Sequence, residues 1–383
     1  MATMKIANEA YKLILNYGEE APKAPSKLVA ARNDKAAFQL ILNSDNPYSV
    51  NVSGAEWFSA SHFTMLRRPH ERLRVAVESP FEQALYIEEF ITDDDGLSKA
   101  DILLNQDVRD SAQNVPSAVF AEIKIPKDAK PGLYDIKLKL FSSLYAEDEK
   151  LVTEERIKLE VHSFVLPDYK DWKFHLDLWQ HNSNIARHYD VKLWSDEHFA
   201  VIENVVKSLA ELGQKSITVC ASEIPWSGQN CLSRPRFGGN MFEYSIIGIT
   251  RRKDGTLSFD YSKMQRYIDL CTRYGISGDI EVFGLVNLWV KDVLGVPNTD
   301  YVEPLRLRYL DESDGRYKYI SSAEEVKEYI HSLESYFVKT AQLSRVRIAA
   351  DEPADIEKYR KSIEAIKSIA PLFRYKTAIN QLL

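Results

Sequence analysis

The chain is poor in cysteine. Its 383 residues include three, Cys220, Cys231 and Cys271, and no CxxC spacing occurs. Three thiols cannot all pair within one chain, so a disulfide framework is excluded and reduced thiols in a cytoplasm are expected. Long apolar runs are also lacking. The N-terminus, MATMKIANEAYKL, has no apolar stretch of signal-peptide length, and no run approaches a membrane span. A basic surplus is missing too: the net charge is −7, opposite to the footprint of a nucleic-acid binder. Neither a nucleic-acid nor a membrane partner is expected. The eight histidines form no HExxH, and ITDDDGLS (91 to 98) departs from the calcium-loop pattern, so no metal is expected. No GxSxG or Cys–His signature marks a nucleophilic Ser or Cys.

What is present is a change of rhythm. KAAFQLILNS (35 to 44), NVPSAVFAEIKIP (114 to 126), GLYDIKLKLF (132 to 141) and EERIKLEVHSF (154 to 164) are rich in β-branched and aromatic residues, and the last three alternate with period two. They predict a β-sandwich over residues 1–166. VLPDYKDW (165 to 172) reads as a boundary. From Trp172 onward, strands alternate with helices. WKFHLDLW, KSITVCA, DIEVFGLV, RVRIAA and FRYKTAI predict five strands. Residues 195–213, 261–275, 322–341 and 354–370 predict helices, the first two closed by Gly. That order implies parallel βαβ units over 167–383, with a (β/α)₈-type barrel as first choice and an open doubly wound sheet as second. No Gly-rich phosphate loop follows any strand, which disfavours the open sheet. A full barrel needs eight strands. With about five, the expectation is an incomplete barrel. C-terminal shortening, a low strand count and completion by a partner chain are the competing explanations, and shortening is preferred.

Where the fourth predicted strand leaves the core stand two adjacent acids, Asp351 and Glu352, followed by Pro353. A lone acid at such a place commonly caps the next helix. Asp355 can do that job here. The pair also follows Val346, Ile348 and Ala350, so it emerges at the strand end where barrel active sites lie. The first predicted strand adds His175, Asp177, Trp179 and His181 on one face, pointing into the barrel. Phe174, Leu176 and Leu178 lie on the other, expected to pack under helices. Trp179 and Trp289 are candidate stacking platforms for a sugar, and Asn287 a candidate hydroxyl partner; packing and turn roles compete. The aromatic content, 20 Tyr, 16 Phe and 6 Trp, leans weakly the same way. Paired carboxyls suit glycosidic-bond hydrolysis. Neighbours in sequence cannot easily flank a sugar from opposite sides, but at a bent strand end both can face one 2-acetamido group. One then holds the amide N–H while the other serves as acid and then base. Like-charge repulsion favours keeping one member protonated.

KFHLDLWQH…ARHYDVKLWSDEHF, FGLVNLW and RIAADEP, in that order, resemble segments of glycoside hydrolase family 123, the β-N-acetylgalactosaminidases, which overlaps the domain of unknown function 4091. RNDKAAFQLILNS (32 to 44) and IPKDAKPGLY (125 to 134) resemble its N-terminal β-domain. The resemblance implies retaining release of terminal β-linked N-acetylgalactosamine through an oxazoline-like intermediate, with no metal or organic cofactor and a glycan as partner. It implies that Asp351 orients the acetamido group and that Glu352 is the acid and base. Family members continue beyond the acid pair, so the chain by itself is expected to be inactive or nearly so. A non-catalytic carbohydrate-binding remnant and a glycosidase of different sugar preference are the alternatives. The oligomeric state is not legible.

Overall fold

Strict alternation of apolar and polar side chains builds the first half of the molecule. The structure, a computed structural model, describes residues 1–15, 23–55, 70–144, 148–225, 242–286, 305–353 and 355–379. The chain forms two compact units, Met1–Asp168 and Tyr169–Leu383.

The first unit contains β1 (Thr3–Asn8), β2 (Leu28–Arg32), β3 (Asp34–Asn43), β4 (Tyr48–Asn51), β5 (Glu71–Glu78) and β6 (Glu82–Thr92). It continues with β7 (Ser98–Leu103), β8 (Val108–Ser111), β9 (Ser117–Ile125), β10 (Gly132–Leu144) and β11 (Lys150–Val165). Two sheets, β1-β3-β9-β6-β7 and β2-β11-β10-β5-β4-β8, share one core. Phe38, Leu40 and Leu42 of β3 meet Leu73, Val75 and Val77 of β5 and Ile136, Leu138 and Leu140 of β10 within it. These are every second residue, as a sheet with one buried face requires. Burying each such side chain contributes about 1.5–3 kcal/mol. The four predicted strands are present. The others were not predicted, although β5, ERLRVAVE, carries the same period-two alternation at Leu73, Val75 and Val77.

The second unit holds α1 (Asn182–His188), α2 (Asp196–Glu211), β12 (Ile217–Cys220) and the short pair β13 (Ile224–Pro225) with β14 (Phe242–Glu243). Next come β15 (Gly248–Arg251), β16 (Leu257–Asp260), α3 (Ser262–Arg273), β17 (Ile280–Phe283), β18 (Arg308–Asp311) and β19 (Arg316–Tyr319). The described chain closes with α4 (Ala323–Lys339), β20 (Val346–Ala350), α5 (Ile356–Ile369) and β21 (Arg374–Thr377). The predicted helices form for the predicted reasons. Ser195 caps α2 by accepting from the His198 N–H at 3.2 Å. Apolar residues at helical spacing, such as Val326, Tyr329, Ile330, Leu333 and Phe337 of α4, are fully buried.

β12, β17, β20 and β21 pair in that order, all parallel. Residues of one parity (Ile217, Val219, Ile280, Val282, Val346, Ile348 and Ala350) join the helices in the larger core. Cys220, Phe283 and Ala349, of the other parity, form a separate cluster with Ile224 and Trp179 on the opposite face.

The segment WKFHLDLW departs from expectation. It touches the sheet through a single parallel bridge, Leu176 with Gln214, and is not a ladder strand. Glutamine side chains take the place of backbone bonds. The Leu178 N–H donates to Gln214 Oε1 at 2.8 Å, and Gln214 Nε2 donates to the carbonyls of Leu178 and Ser216. Gln180 bonds Thr218 in both directions, accepting from its N–H at 2.8 Å. The expected burial under helices fails as well, since Phe174 is 70% and Leu178 42% exposed. Period-two patterning was therefore a false signal of sheet pairing. A second sheet, β16-β15-β18-β19, was not anticipated. Its hairpins at KDGT and ESDGR carry Asp-Gly turn signals that the sequence reading left unused.

Candidate functional site

The face opposite the helices is where polar groups collect. On it, the ends of β12, β17 and β20 supply Cys220, Phe283 and Ala349, and Trp179 packs edge-on against Phe283 with ring centroids 5.1 Å apart. Asp351 follows Ala349 by two residues, so strand parity places it on this face, just beyond the apolar cluster. It is 5% exposed. Glu352 has φ +38°, left-handed backbone that a non-glycine residue rarely adopts, and its side chain is exposed. The chain thus turns at the second acid, and strict strand alternation no longer separates the two. Neither acid is the cap of the next helix. Asp355 is, accepting from the Lys358 N–H at 2.9 Å.

One layer deeper lies a charged triad. Lys376 of β21 donates to Asp177 Oδ2 at 2.6 Å and also to Glu281 of β17. Along a flat sheet, Asp177 and Lys376 would be four strand spacings apart, roughly 19 Å. A lysine and an aspartate cannot span that, so the sheet is curled with this face inward. Three alternate strand positions feed one layer, as in barrel interiors. Two carboxyls share one ammonium, and the proton compensates: burial, then the Asp177 carboxyl, pushes Glu281 up to about 7. His175 departs from the expectation of an inward-pointing side chain: it is exposed, with Nε2 3.3 Å from Ser216 Oγ. His181 does not continue the row. The chain has already turned at Gln180, and His181 stands immediately before α1, half-buried, its pKa lowered by burial and by Arg187. Asn287 and Trp289 lie outside the described residues.

Sequence reading missed several groups on this side. Glu281 and Lys376 were hidden inside the strands DIEVFG and FRYKT, although their parity opposite Ile280, Val282 and Tyr375 marked them. Glu243 is another. It accepts from the Ser183 N–H at 3.0 Å, its second oxygen has no hydrogen-bond partner among the described residues, and burial pushes it up to about 7. Glu223, just past β12, is 2% exposed and receives Arg306, Arg308 and the Tyr319 hydroxyl. No run of like residues announced either one.

Two predictions arise here. Gly284 follows β17 with φ +98°, and a Cβ there would stand 2.4 Å from Ser222 Oγ, which donates to the Gly284 carbonyl. Gly284→Ala is expected to cost roughly 2 kcal/mol or more in urea denaturation, since both strain and clash oppose it. The second concerns pH. A carboxyl whose folded pKa lies above its unfolded value holds its proton better in the folded state, so stability falls as pH rises between the two values. For Glu243 and Glu281 that window runs from about 4.5 to about 7. The melting temperature should fall across it, and Glu243→Gln and Glu281→Gln should each flatten the slope. A slope unchanged in both variants would contradict the burial assignment.

The C-terminal unit matches the family model described as glycoside hydrolase 123, catalytic domain, over residues 179–382, more than half of the chain. Among solved structures, the chain is similar to a family 123 glycoside hydrolase from Clostridium perfringens that was studied for glycolipid glycan hydrolysis. The TM-score is 0.67 and the identity 17%, covering 98% of this chain and 64% of that one. At that identity the likeness speaks for the fold, and the chain spans less than two thirds of its relative's length. A second structure, the sporulation control protein Spo0M from Bacillus subtilis, aligns with a TM-score of 0.19 and 8% identity over 42% of this chain and 50% of that one, too weak to carry an argument. No curated protein matches.

Proposed function

The chain belongs to glycoside hydrolase family 123, and from that premise we propose that it hydrolyses a glycan bearing a terminal β-linked N-acetylhexosamine, N-acetylgalactosamine foremost. The observation that carries the reading is the strand end at Ala350. A buried acid and an exposed acid follow each other there, freed from helix capping by Asp355, beside an aromatic pair on the inward face.

In this reading Asp351 accepts the N–H of the 2-acetamido group and turns its carbonyl oxygen toward C1. That oxygen attacks C1 as the C1–O bond breaks, closing an oxazoline-like ring. Glu352 gives its proton to the departing oxygen, then takes one from the water that opens the ring. Two displacements at C1 retain the β configuration. Burial of Asp351 suits a positioning acceptor whose geometry must not wander, and exposure of Glu352 suits a group that exchanges protons with leaving group and water. Trp179 beside Phe283 offers a face for the sugar ring.

The test is turnover of 4-nitrophenyl N-acetyl-β-galactosaminide beside the glucosaminide, with NMR of the first-formed anomer. Retention, together with loss of activity on replacing either acid, supports the proposal. Inversion, or activity indifferent to both acids, sinks it. A protein that binds N-acetylgalactosamine without any turnover belongs to the second reading, a non-catalytic carbohydrate-binding form. That reading draws on a parallel sheet of four described strands plus one bridged segment.

A further inference from the structure

The small sheet β16-β15-β18-β19 has two unlike faces. Leu307, Tyr309 and Ile320 point into the larger core. The other face carries Arg306 and Arg308 from the β18 side and Tyr317 and Tyr319 from β19, with Phe242 and Tyr244 alongside. Arg306 lies over the rings of Phe242 and Tyr319, at 5.1 and 4.5 Å from their centroids. Arg308 lies between Tyr244 and Tyr317, at 5.0 and 4.8 Å. Both arginines engage one buried carboxylate, Glu223. Among the described residues, two positive charges on one negative leave a surplus of one positive charge at the face.

Arg308 is the better placed of the two to bind something. It meets Glu223 through Nε at 2.9 Å. Among the described residues its terminal amino groups donate to no protein acceptor, and its side chain is 35% exposed. Two tyrosine rings flank the guanidinium and a buried carboxylate pairs with it through Nε, and the partly exposed side chain keeps its terminal N–H fork for another acceptor. A planar fork held this way matches two oxygens of a carboxylate or a sulfate, and the entropy of ordering a long side chain has been met in advance. The face also adjoins the candidate site. Glu223 is followed directly by Ile224, which packs in the cluster of Trp179, Phe283 and Ala349, and Asp351 lies two residues past Ala349.

We propose that Arg308 receives an anionic group, carboxylate or sulfate, carried by the glycan near the cleaved residue, so that acidic glycans are the preferred substrates. The inference rests on the glycosidase reading for its meaning but not for its test. The full chain is titrated calorimetrically with three oligosaccharides ending in the same β-N-acetylgalactosaminyl-galactose unit. In one the galactose carries N-acetylneuraminic acid, in another a sulfate ester, and in the third no charge. The expected result is about tenfold tighter binding of at least one acidic ligand, weakened by salt and lost in Arg308→Met. Arg308→Lys, which keeps the charge but not the fork, should recover only part. The two acidic ligands distinguish carboxylate from sulfate as the source. Equal affinity for all three, or equal weakening of all three in Arg308→Met, overturns the proposal. Hydrolysis of the neutral 4-nitrophenyl substrate is measured alongside: if it is absent, the glycosidase reading fails while the calorimetry still reports on Arg308.

Discussion

Glu352→Gln is expected to lower turnover of a 4-nitrophenyl N-acetyl-β-galactosaminide by about a thousandfold, within the range of roughly 10² to 10⁴ that a positioned acid–base group contributes. The amide has nearly the shape of the acid but has no proton to give and none to take. Binding should persist, because the sugar's acetamido group is held by Asp351 in the proposed scheme. The loss should shrink with a dinitrophenyl leaving group, which departs with little need of a proton. Asp351→Asn should behave differently. It replaces an acceptor by a mixed donor and acceptor, so the acetamido group is misaimed, and the loss should be comparable for good and poor leaving groups. Glu352 is exposed, so its variant should melt within about a degree of the parent, surface changes being worth no more than about 0.5 kcal/mol. A Glu352→Gln protein with undiminished kcat, or one that loses activity only by unfolding, would remove this residue from the mechanism.

The second large effect concerns stability. Lys376→Met should destabilise the C-terminal unit by on the order of 2–4 kcal/mol, somewhat under the usual range for breaking a buried ion pair because the lysine remains a third exposed. The cause is the two carboxyls left behind. Glu281 is 1% exposed, and among the described residues Asp177 Oδ1 has no hydrogen-bond partner even in the intact triad. Removal of their shared cation forces further protonation or water entry. The sign with pH follows. Between about 4.5 and 7 the folded state holds the Glu281 proton, so the variant should lose least at pH 5 and most above pH 7. Adding Glu281→Gln to Lys376→Met should restore part of the loss, because an amide needs no counter-ion. A double variant no more stable than the single one would mean that Lys376 acts through its packing alone. The two measurements do not interfere: Glu352 lies past the end of β20, whereas Lys376 reaches a layer beneath the apolar cluster.

Much of this arrangement was legible before any coordinates. Each helix of the second unit except α1 was marked by its apolar spacing, with a serine or aspartate cap at α2, α4 and α5. β12, β17, β20 and β21 were marked as short apolar or alternating runs between helices, and the acid pair by its place after one of them. The misreadings have specific causes. The segment 172–179 has the composition of a strand, but whether an extended chain pairs through its own amides depends on what stands beside it, and Gln180 and Gln214 intervene. Glu281 and Lys376 each look like a solvated residue in an alternating strand. Only curvature brings Lys376 to Glu281 across 95 residues of sequence and to Asp177 across 199.

Local chemistry along the chain therefore determined which stretches are extended, which are helical, where they stop, and that two acids follow a buried strand, because these depend on near neighbours and on the periods of strand and helix. Tertiary structure alone decided that the sheet curls, that its inward face gathers a lysine and two carboxyls, that backbone turning at Glu352 relieves the alternation separating the acids, and that Arg308 stands between two tyrosine rings over a buried carboxylate. Those outcomes depend on distances between residues remote in sequence, set by how strands tilt and pack, and no local pattern encodes them.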